Sequence, residues 1–386
     1  ASRTYGATNP AFGGTLTGFV NGETLATATT GTLGWTTPAT NTSNVGSYAV
    51  DGGGLAANNG NYVFAQAAGN NSALAVTPAA LTVTASDASK IYGQTPTLTG
   101  FTSIGLQNGE TIGSVTEAST GTSATANVGS YAIGAGNATG GTFDANNYTI
   151  TYANGSLAVT PATLTYTADT ANRTYGAANP AFSGTLTGFV NGETLATATT
   201  GTLGWTTPAT NTSNVGSYAV DGGGLAANNG NYVFAQAAGN NSALAVTPAA
   251  LTVTASDASK IYGQTPTLTG FTSIGLQNGE TIGSVTEAST GTSATANVGS
   301  YAIGAGNATG GTFDANNYTI TYANGSLAVT PATLTYTADT ANRTYGAANP
   351  AFSGTLTGFV NGETLATATT GTLGWTTPAT NTSNVG

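Results

Sequence analysis

The sequence predicts an all-β or β-dominated protein, a tandem array of small β modules, either β-grasp-like or sandwich-like, that form an elongated rod. Three observations support this fold class. One stretch recurs five times within 386 residues. Short runs of Leu, Val, Ile, Tyr and Thr alternate apolar and polar positions, as strands with one buried face do. Gly, Pro and Asn-Gly turn signals separate these runs. Repetition of this kind indicates units that pack on their neighbours.

Composition separates the chain from disordered segments and from most enzymes. Charged residues make up only 5% of it, but 17 Tyr and 12 Phe supply the aromatic side chains that disordered chains lack. There is no Cys and no His, so the usual ligands of zinc, copper, haem and iron–sulfur clusters are missing. A Cys nucleophile and a His base are missing as well. We therefore expect neither a cofactor nor an enzyme.

The formal net charge is −10, which disfavours nucleic acid as a partner because phosphate binding needs clustered Lys and Arg. No apolar run reaches the roughly 18 residues of a membrane span, so we expect none in this chain. The sequence starts and stops inside a repeat. We interpret it as part of a longer array, with any signal peptide or anchor outside it.

Proline residues mark the module boundaries. The pattern Leu-Ala-Val-Thr-Pro-Ala places a proline between two apolar alternations. Proline cannot donate a ladder hydrogen bond and restricts its predecessor. One strand should therefore end just before it, the next should begin just after it, and the linker should be stiff. The linker residues are Pro78, Pro161, Pro248 and Pro331.

These prolines divide the chain into five predicted modules, named 1 to 5 below: residues 1–78, 79–161, 162–248, 249–331 and 332–386. Modules 1, 3 and 5 are type A, with Arg-Thr-Tyr-Gly and a Trp. Modules 2 and 4 are type B, with Lys-Ile-Tyr-Gly and no Trp. Module 1 is truncated at its N-terminal side and module 5 at its C-terminal side, relative to module 3.

The recurring stretch, Arg173–Thr194 in module 3, combines a cation, a Tyr-Gly pair and a later Asn-Gly-Glu-Thr at fixed spacing. We predict that cation and glutamate of one module form a salt bridge, or that the cation stacks on a Tyr, and that either contact joins two strands. An alternative is an isopeptide bond from Lys90 to an Asn or Asp, with Glu110 assisting; the Arg of type A modules could not form it. The motif residues are Arg3, Tyr5, Glu23, Lys90, Tyr92, Glu110, Arg173, Tyr175, Glu193, Lys260, Tyr262 and Glu280.

Within type B, strands are expected at Leu81–Ala85 and Leu98–Ile104, with a turn at Asn108-Gly109. The segment Asn147–Thr160 is predicted to be a hairpin around Asn154-Gly155, because both central residues of such a tight turn need positive φ. Type A should keep this hairpin with a longer loop. Helix is weakly indicated, and Glu23–Thr29 could form one turn.

Several acidic residues are candidate sites whose simpler role is structural. The junction residues Asp87, Asp169 and Asp257 could belong to calcium sites, but each stands alone, so a turn-forming Asp that bonds its own backbone is the favoured reading. Asp51 and Asp144 are read in the same way. Glu110 with Glu117 could suggest a glycosidase pair, but type A has no counterpart of Glu117.

Two further surface roles stay open. Trp35 and Trp205 could stack on sugars, although a single Trp per module more often belongs to the core. Asn-x-Ser/Thr triplets would allow glycosylation on an exported chain; they occur at Asn70, Asn137, Asn147 and Asn154.

The motifs together resemble the MBG repeats of large bacterial surface proteins. The matching features are (Lys/Arg)-x-Tyr-Gly, Gly-Phe/Leu-x-Asn-Gly-Glu-Thr, Val-Gly-Ser-Tyr-Ala-Ile/Val and the closing Asn-Tyr followed by Gly-Ser-Leu-x-Val-Thr-Pro-Ala. They cover essentially the whole chain. The resemblance implies a β-rich, β-grasp-like module in the stalk of a secreted adhesin or surface filament protein.

We therefore expect an extracellular structural repeat region, at the bacterial cell surface, that gives length and stiffness and projects a binding tip or builds a filament, as in biofilms. Strands of about ten residues at about 3.3 Å per residue would give a rod on the order of 150 Å. The alternative is a lectin-like repeat that binds polysaccharide. Possible partners are further copies in a fibre, and a polysaccharide or host-surface ligand bound outside this chain.

Overall fold

A computed structural model describes all 386 residues and shows a β-dominated chain with many small sheets in tandem. The predicted fold class is confirmed in this respect. The chain forms two compact units, which are described separately. Unit 1 comprises Ala1–Tyr166, Leu186–Leu203 and Gly223–Gln236, and unit 2 comprises Thr167–Thr185, Gly204–Gly222 and Ala237–Gly386. None of the helices has the length and apolar character needed to cross a membrane.

Twelve strands precede Pro161. In module 1 they are β1 (Ser2–Thr4), β2 (Thr29–Thr36), β3 (Gly46–Tyr48), β4 (Asp51–Ala57) and β5 (Leu74–Thr77). In module 2 they are β6 (Ala79–Ala85), β7 (Ala88–Ile91), β8 (Phe101–Ile104), β9 (Ile112–Ala118), β10 (Gly129–Gly141), β11 (Tyr148–Ala153) and β12 (Gly155–Thr160).

The remaining strands repeat this order. In module 3 they are β13 (Ala162–Ala168), β14 (Ala171–Thr174), β15 (Gly184–Thr187), β16 (Thr199–Thr206), β17 (Gly216–Tyr218), β18 (Asp221–Ala227), β19 (Tyr232–Gln236) and β20 (Leu244–Thr247). In module 4 they are β21 (Ala249–Ala255), β22 (Ala258–Ile261), β23 (Phe271–Ile274), β24 (Ile282–Ala288), β25 (Gly299–Gly311), β26 (Tyr318–Ala323) and β27 (Gly325–Thr330). Module 5 has β28 (Thr335–Ala338) and β29 (Gly354–Thr357).

The α-helices are single turns in the type A modules, as predicted for Glu23–Thr29. They are α1 (Leu25–Ala28), α2 (Leu195–Ala198) and α3 (Leu365–Ala368). The hydroxyl of Thr27 accepts a hydrogen bond from the backbone N–H of Thr24, the N-cap residue, which helps to fix the start of α1. The predicted Asn108-Gly109 turn is also present, with φ of 55° and 71° at its two residues.

In unit 1, module 2 contains two sheets, which have no strand in common. The first sheet has the order β11-β6-β8 and the second the order β7-β12-β10-β9. β6 runs parallel to β11, and β7 runs parallel to β12. The inner positions of β6 are apolar and buried, whereas Thr82 and Thr84 between them point to the other face. Module 4, in unit 2, repeats both sheets with the orders β23-β21-β26 and β22-β27-β25-β24.

The predicted hairpin at Asn147–Thr160 is wrong. β11 and β12 lie in different sheets, and neither Asn154 nor Gly155 has positive φ. Asn154 is the point at which the chain crosses from the first sheet to the second, because the parallel partners β6 and β7 already satisfy the backbone groups that a hairpin would pair. A Cβ atom on Gly155 would lie 2.5 Å from the carbonyl oxygen of Ala85, so this crossing requires glycine.

The longer type A hairpin is absent for the same reason. In unit 1, β13 runs parallel to β19. In unit 2, β14 runs parallel to β20, and a 3₁₀ turn at Ala238–Ser242 precedes β20. The segment predicted as a hairpin therefore contributes β19 to one sheet and β20 to another.

The strand boundaries at the prolines agree with the prediction. β5 ends at Thr77 and β6 begins at Ala79, on either side of Pro78. Pro161 and Pro248 separate strands in the same way, and Pro331 follows β27 directly. Apolar clusters extend across these prolines. In unit 1, Tyr5 and Val76 from module 1 pack in one cluster with Leu81, Val83 and Tyr148 from module 2.

Candidate functional site

A tyrosine–glutamate–tyrosine cluster occupies each complete junction between modules. In unit 1, the Tyr5 hydroxyl of module 1 donates a hydrogen bond of 2.6 Å to Glu110 Oε1 of module 2. The hydroxyl of Tyr148 donates to the other carboxylate oxygen of Glu110 and accepts from the Gln107 N–H at 2.8 Å. The two tyrosine rings meet edge to face with centroids 5.6 Å apart. One carboxylate thus holds tyrosines from two modules.

The same arrangement recurs at the next two junctions, and its first hydrogen bond recurs at the fourth. Tyr92 of module 2 donates to Glu193 of module 3 at 3.1 Å, and Tyr232 donates to the second oxygen of Glu193. In unit 2, Tyr175 donates to Glu280 at 2.5 Å, together with Tyr318. Tyr262 donates to Glu363 at 2.7 Å. In module 1, by contrast, Glu23 accepts from Tyr62 of its own module.

The glycine of each Tyr-Gly pair lies against the next module. Gly6 has φ of 80°, and a Cβ atom on it would lie 2.4 Å from the side-chain Oε1 of Gln107. At the following junction, a Cβ atom on Gly93 would lie 2.7 Å from the Val190 side chain. Tyr-Gly is therefore a docking motif: the tyrosine supplies the hydrogen bond and the glycine permits close approach.

A buried asparagine forms the second polar contact across each of the first three junctions. Asn147 Oδ1 accepts the Val45 N–H at 2.8 Å, and its Nδ2 donates to Asn44 Oδ1 at 3.0 Å. Asn231 contacts Val128 N and Asn127 in the same way. The Asn44–Val45 and Asn127–Val128 pairs lie in loops of the preceding module, which we call docking loops (residues 40–45 and 123–128).

The cation of the motif anchors the docking loop of its own module. Arg3 is buried, donates from Nε to Asn9 Oδ1 at 2.7 Å, and donates from Nη2 to the carbonyl oxygen of Thr40. Lys90 is buried, and its Nζ donates to the carbonyl oxygens of Gln94, at 2.9 Å, and of Ser123. Thr40 and Ser123 begin the two docking loops. Arg173 and Lys260 repeat these contacts in unit 2.

The predicted ion pair between cation and glutamate of one module is therefore wrong. The glutamate accepts hydrogen bonds from tyrosines. The N–H groups of the cation donate to carbonyl oxygens, so the cation needs no carboxylate partner. The Lys90 amine faces main-chain oxygens and no Asn or Asp side chain, so its geometry does not support the isopeptide alternative. Burial lowers the pKa of Lys90.

The electrostatics of the cluster favour neutral tyrosines. Burial, followed by the hydrogen bond to Glu193, raises the pKa of Tyr232 to about 12. The same two causes raise the pKa of Tyr148 and of Tyr318, next to Glu110 and Glu280. Ionisation of the tyrosine would place two negative charges in contact. It would also remove the hydroxyl proton that bonds to the carboxylate.

Alkaline pH is expected to weaken the junctions. Because folding raises the pKa of Tyr232 above that of an unfolded tyrosine, about 10, its contribution to stability is complete below pH about 10 and is lost as the pH rises towards about 12. Urea midpoints measured across this range should fall more steeply for the wild type than for a Tyr92→Phe/Tyr232→Phe variant. Tyr345→Phe, an exposed control, should follow the wild type; equal slopes for all three proteins would contradict this prediction.

The acidic residues at the module boundaries have varied roles. Asp87 Oδ1 accepts the Ser156 N–H at 2.8 Å and bridges the gap between the two sheets, as Asp257 does with Ser326. The reading that these two bond their own turns is wrong. Asp144 caps a 3₁₀ turn through the Asn146 N–H, as predicted, whereas Asp51 lies in β4. Asp169 accepts from the Ser183 hydroxyl at 2.7 Å.

Glu117 of type B carries a buried carboxylate oxygen, Oε1, without a hydrogen-bond partner, and Glu287 of module 4 repeats this. Glu117 pairs across the sheet with Ala135 on β10. Both carboxylate oxygens of Glu110 accept hydrogen bonds from tyrosines. The structure therefore gives no support to a glycosidase pair of Glu110 and Glu117. An unpaired buried oxygen lowers stability by roughly 1–3 kcal/mol.

Removing this oxygen is expected to stabilise the type B modules. The double variant Glu117→Met/Glu287→Met should raise the free energy of unfolding by about 1 kcal/mol per module, seen as an upward shift of the type B transition in calorimetry. The Glu117→Gln/Glu287→Gln pair keeps a polar atom at each position and should show little gain. A lower transition temperature in the Met variant would contradict the prediction.

The tryptophans and one of the glycosylation triplets take part in packing. Trp35 is half-buried in a cluster with Val50 and Leu74, and Trp205 packs in the corresponding cluster of module 3. Asn147 is buried in the junction, so its side chain is not accessible to a modifying enzyme in the folded protein. Asn137 is exposed.

The sequence identified most residues of the junction but missed the buried asparagines and docking loops. Their signal is the Asn-Tyr pair that recurs as Asn147-Tyr148, Asn231-Tyr232 and Asn317-Tyr318. In each pair the asparagine bonds to the docking loop of the preceding module. The tyrosine bonds to the glutamate of its own module, at the junction.

Comparison with known families accounts for nearly the whole chain. No curated protein matches it. The family model of the MBG domain (YGX type) matches in five tandem copies, at residues 1–71, 81–158, 164–241, 251–328 and 334–386. The Tyr-Gly of the docking motif lies within each copy. The chain belongs to the MBG domain (YGX type) family.

Proposed function

We propose that this chain is a stalk segment of a bacterial extracellular protein, an adhesin or a surface fibre, in which docked modules provide length and stiffness. The observation that carries the proposal is that each of the first three junctions combines an apolar cluster with a tyrosine–glutamate hydrogen bond, and the hydrogen bond recurs at the fourth. The predicted boundaries at Pro78, Pro161, Pro248 and Pro331 define the modules in this proposal. It includes no enzymatic step.

The junction chemistry supports stiffness through three independent restraints. Proline limits the backbone between the last strand of one module and the first of the next. The shared apolar cluster would be exposed to water if a junction opened, at roughly 25 cal/mol per Å². The buried tyrosine hydroxyls and carboxylate would lose their partners. A segment that only joined two domains would need none of these contacts.

Electron microscopy of the purified chain tests the proposal. Single particles should be straight, with a narrow distribution of bend angles and a length that grows with module number. Replacing Tyr92 by Ser should introduce a bend at the middle of the particle, whereas Tyr345→Ser, at an exposed position, should not. Wild-type particles that bend freely at every junction would sink the proposal.

A carbohydrate-binding repeat is the second candidate, and it predicts a different result. Trp35 lines an open pocket with Gln66 and Asn70, and repeated weak sites would give avidity. If this reading holds, the purified chain binds on a glycan array and binding is reduced in Trp35→Ala. If the chain binds no glycan, the stalk stays the proposed function of this segment. Glycan binding that persists without Trp35 and Trp205 would exclude the tryptophans as the binding sites.

A further inference from the structure

Tyrosines of neighbouring modules form close pairs at the first three junctions. In each pair the ring centroids are 5.5 to 5.6 Å apart, and the ring planes meet at 79° to 82°. One ring comes from each of the two modules, so the pair lies directly across the junction. The pairs are Tyr5 with Tyr148 and Tyr92 with Tyr232 in unit 1, and Tyr175 with Tyr318 in unit 2.

A single carboxylate holds the two hydroxyl groups of each pair. Tyr5 donates to Oε1 of Glu110 at 2.6 Å, and Tyr148 donates to Oε2 of the same residue. The Cε carbons of a tyrosine are next to the carbon that carries the hydroxyl. Because both hydroxyls contact one carboxylate, the Cε carbons of the two rings lie at the same end of the pair. The carboxylate is also a proton acceptor within hydrogen-bond reach of both phenols.

The chain lacks the side chains that oxidants usually attack first. It has no Cys and no Met, which carry the thiol and thioether groups of the common oxidation reactions. Its oxidisable aromatic side chains are 17 Tyr and 3 Trp. A tyrosine of this chain that loses an electron therefore finds no thiol or thioether in the same molecule to take over the radical.

We propose that each pair is a site of dityrosine cross-linking, in which a Cε carbon of one tyrosine bonds to a Cε carbon of the other. Each ring loses one electron to a peroxide-derived one-electron oxidant, and its hydroxyl proton leaves through the carboxylate. The two phenoxyl radicals combine, and the hydrogens on the joined carbons move to the phenolic oxygens. In balance, two tyrosines and one hydrogen peroxide give one dityrosine and two water molecules.

Burial directs the radicals towards each other. Tyr5 is 4% exposed and Tyr148 is 6% exposed, so a ring of a second chain cannot reach either of them. An electron can pass to an oxidant at the surface without contact between the oxidant and the buried ring. Coupling within the pair is therefore favoured over coupling between chains. The product gives this Cys-free chain a covalent bond across the junction.

Tryptic digestion of the oxidised full chain tests the proposal. Trypsin cleaves after Lys and Arg, and these 5 residues place the two tyrosines of every pair in adjacent peptides. The peptides are residues 4–90, 91–173, 174–260 and 261–343. The chain is oxidised at low concentration with a photo-generated ruthenium(III) complex and persulfate, and the monomer is isolated and digested in denaturant.

Adjacent peptides of the oxidised monomer should stay joined. Mass spectrometry should find each joined pair lighter by two hydrogen atoms than its two separate peptides. The bond of the first pair should map to Tyr5 and Tyr148. Release of all four peptides as separate species would overturn the proposal.

Two matched variants test the assignment at the first junction. Tyr5→Phe removes one phenol of the pair, so residues 4–90 should be released while the later peptides stay joined. Tyr48→Phe is the control, because Tyr48 packs in the same apolar cluster and lies in the same peptide, but donates to the Asn44 carbonyl oxygen at 2.7 Å. It should leave residues 4–90 joined. The reverse pattern, or the same pattern in both variants, would contradict the proposal.

Oxidation of the wild type in concentrated urea gives a test that needs no variant. Urea unfolds the junctions and separates the two rings of each pair, so most of the joined peptides should be lost. Equal joining in urea and in buffer would show that the junction does not direct the coupling, contrary to the proposal. Failure of the cross-link would leave the stalk proposal standing, because particle straightness is measured without an oxidant.

Discussion

Leu164→Ala is expected to lower the free energy of unfolding of module 3 by about 2–5 kcal/mol, the cost of a large cavity in a packed core. Leu164 is fully buried and lies in one cluster with Tyr92 and Val159 of module 2. Because that cluster belongs to both modules, the cavity should also loosen the junction. Urea unfolding is measured in a Trp35→Phe/Trp375→Phe background, in which Trp205 on β16 is the only tryptophan.

The chain contains its own control for this experiment. Leu334 occupies the same position of an identical sequence in module 5, where it is only half-buried. Leu334→Ala, followed through Trp375 as the only tryptophan, should cost clearly less than Leu164→Ala. Equal losses at the two positions would mean that the shared cluster contributes no stability to module 3.

Glu193→Ala is expected to cost about 3 kcal/mol, because it removes a charged acceptor from the hydroxyls of Tyr92 and Tyr232. Both tyrosines are buried, so water does not replace the lost partner freely. The same Trp205 background reports the change.

The matched control is Glu23→Ala, in identical sequence but with Tyr62 of the same module as donor. Glu23→Ala should lower the free energy of unfolding by less than Glu193→Ala does, since no tyrosine of another module donates to Glu23. In a double-mutant cycle, Tyr92→Phe and Glu193→Ala should show a coupling of about 1 kcal/mol. Zero coupling would contradict the assignment of this hydrogen bond to the junction.

Local features of the fold followed from local sequence. The strand ends around Pro78, the turn at Asn108-Gly109 and the helical turn at Leu25–Ala28 depend on proline geometry, positive φ and capping, which act within a few residues. Which strands pair with each other could not be predicted from local sequence. Asn154-Gly155 fits a hairpin by sequence, but the parallel strands β6 and β7 decide the outcome, and they lie far away along the chain.

The junction shows a similar limit. The repeated sequence marks Lys90, Tyr92 and Glu110 as a unit, but the prediction joined the cation to the glutamate of the same module. In a regular array, spacings within a module and between modules are equally constant, so periodicity cannot assign the partner. The choice depends on burial: the cation finds carbonyl oxygens of its own docking loop, and the glutamate receives hydroxyls from both sides.

The close approach at the Tyr-Gly glycines has a consequence for how such a protein changes length. Gly6 of type A meets a glutamine of type B, and Gly93 of type B meets a valine of type A. Each type is thus shaped for the other, and the heritable unit is the A–B pair. Recombination between these nearly identical pairs would insert or delete two modules at once and leave the contacts matched. A gene of this kind can vary in length between descendants without creating a poorly fitting joint.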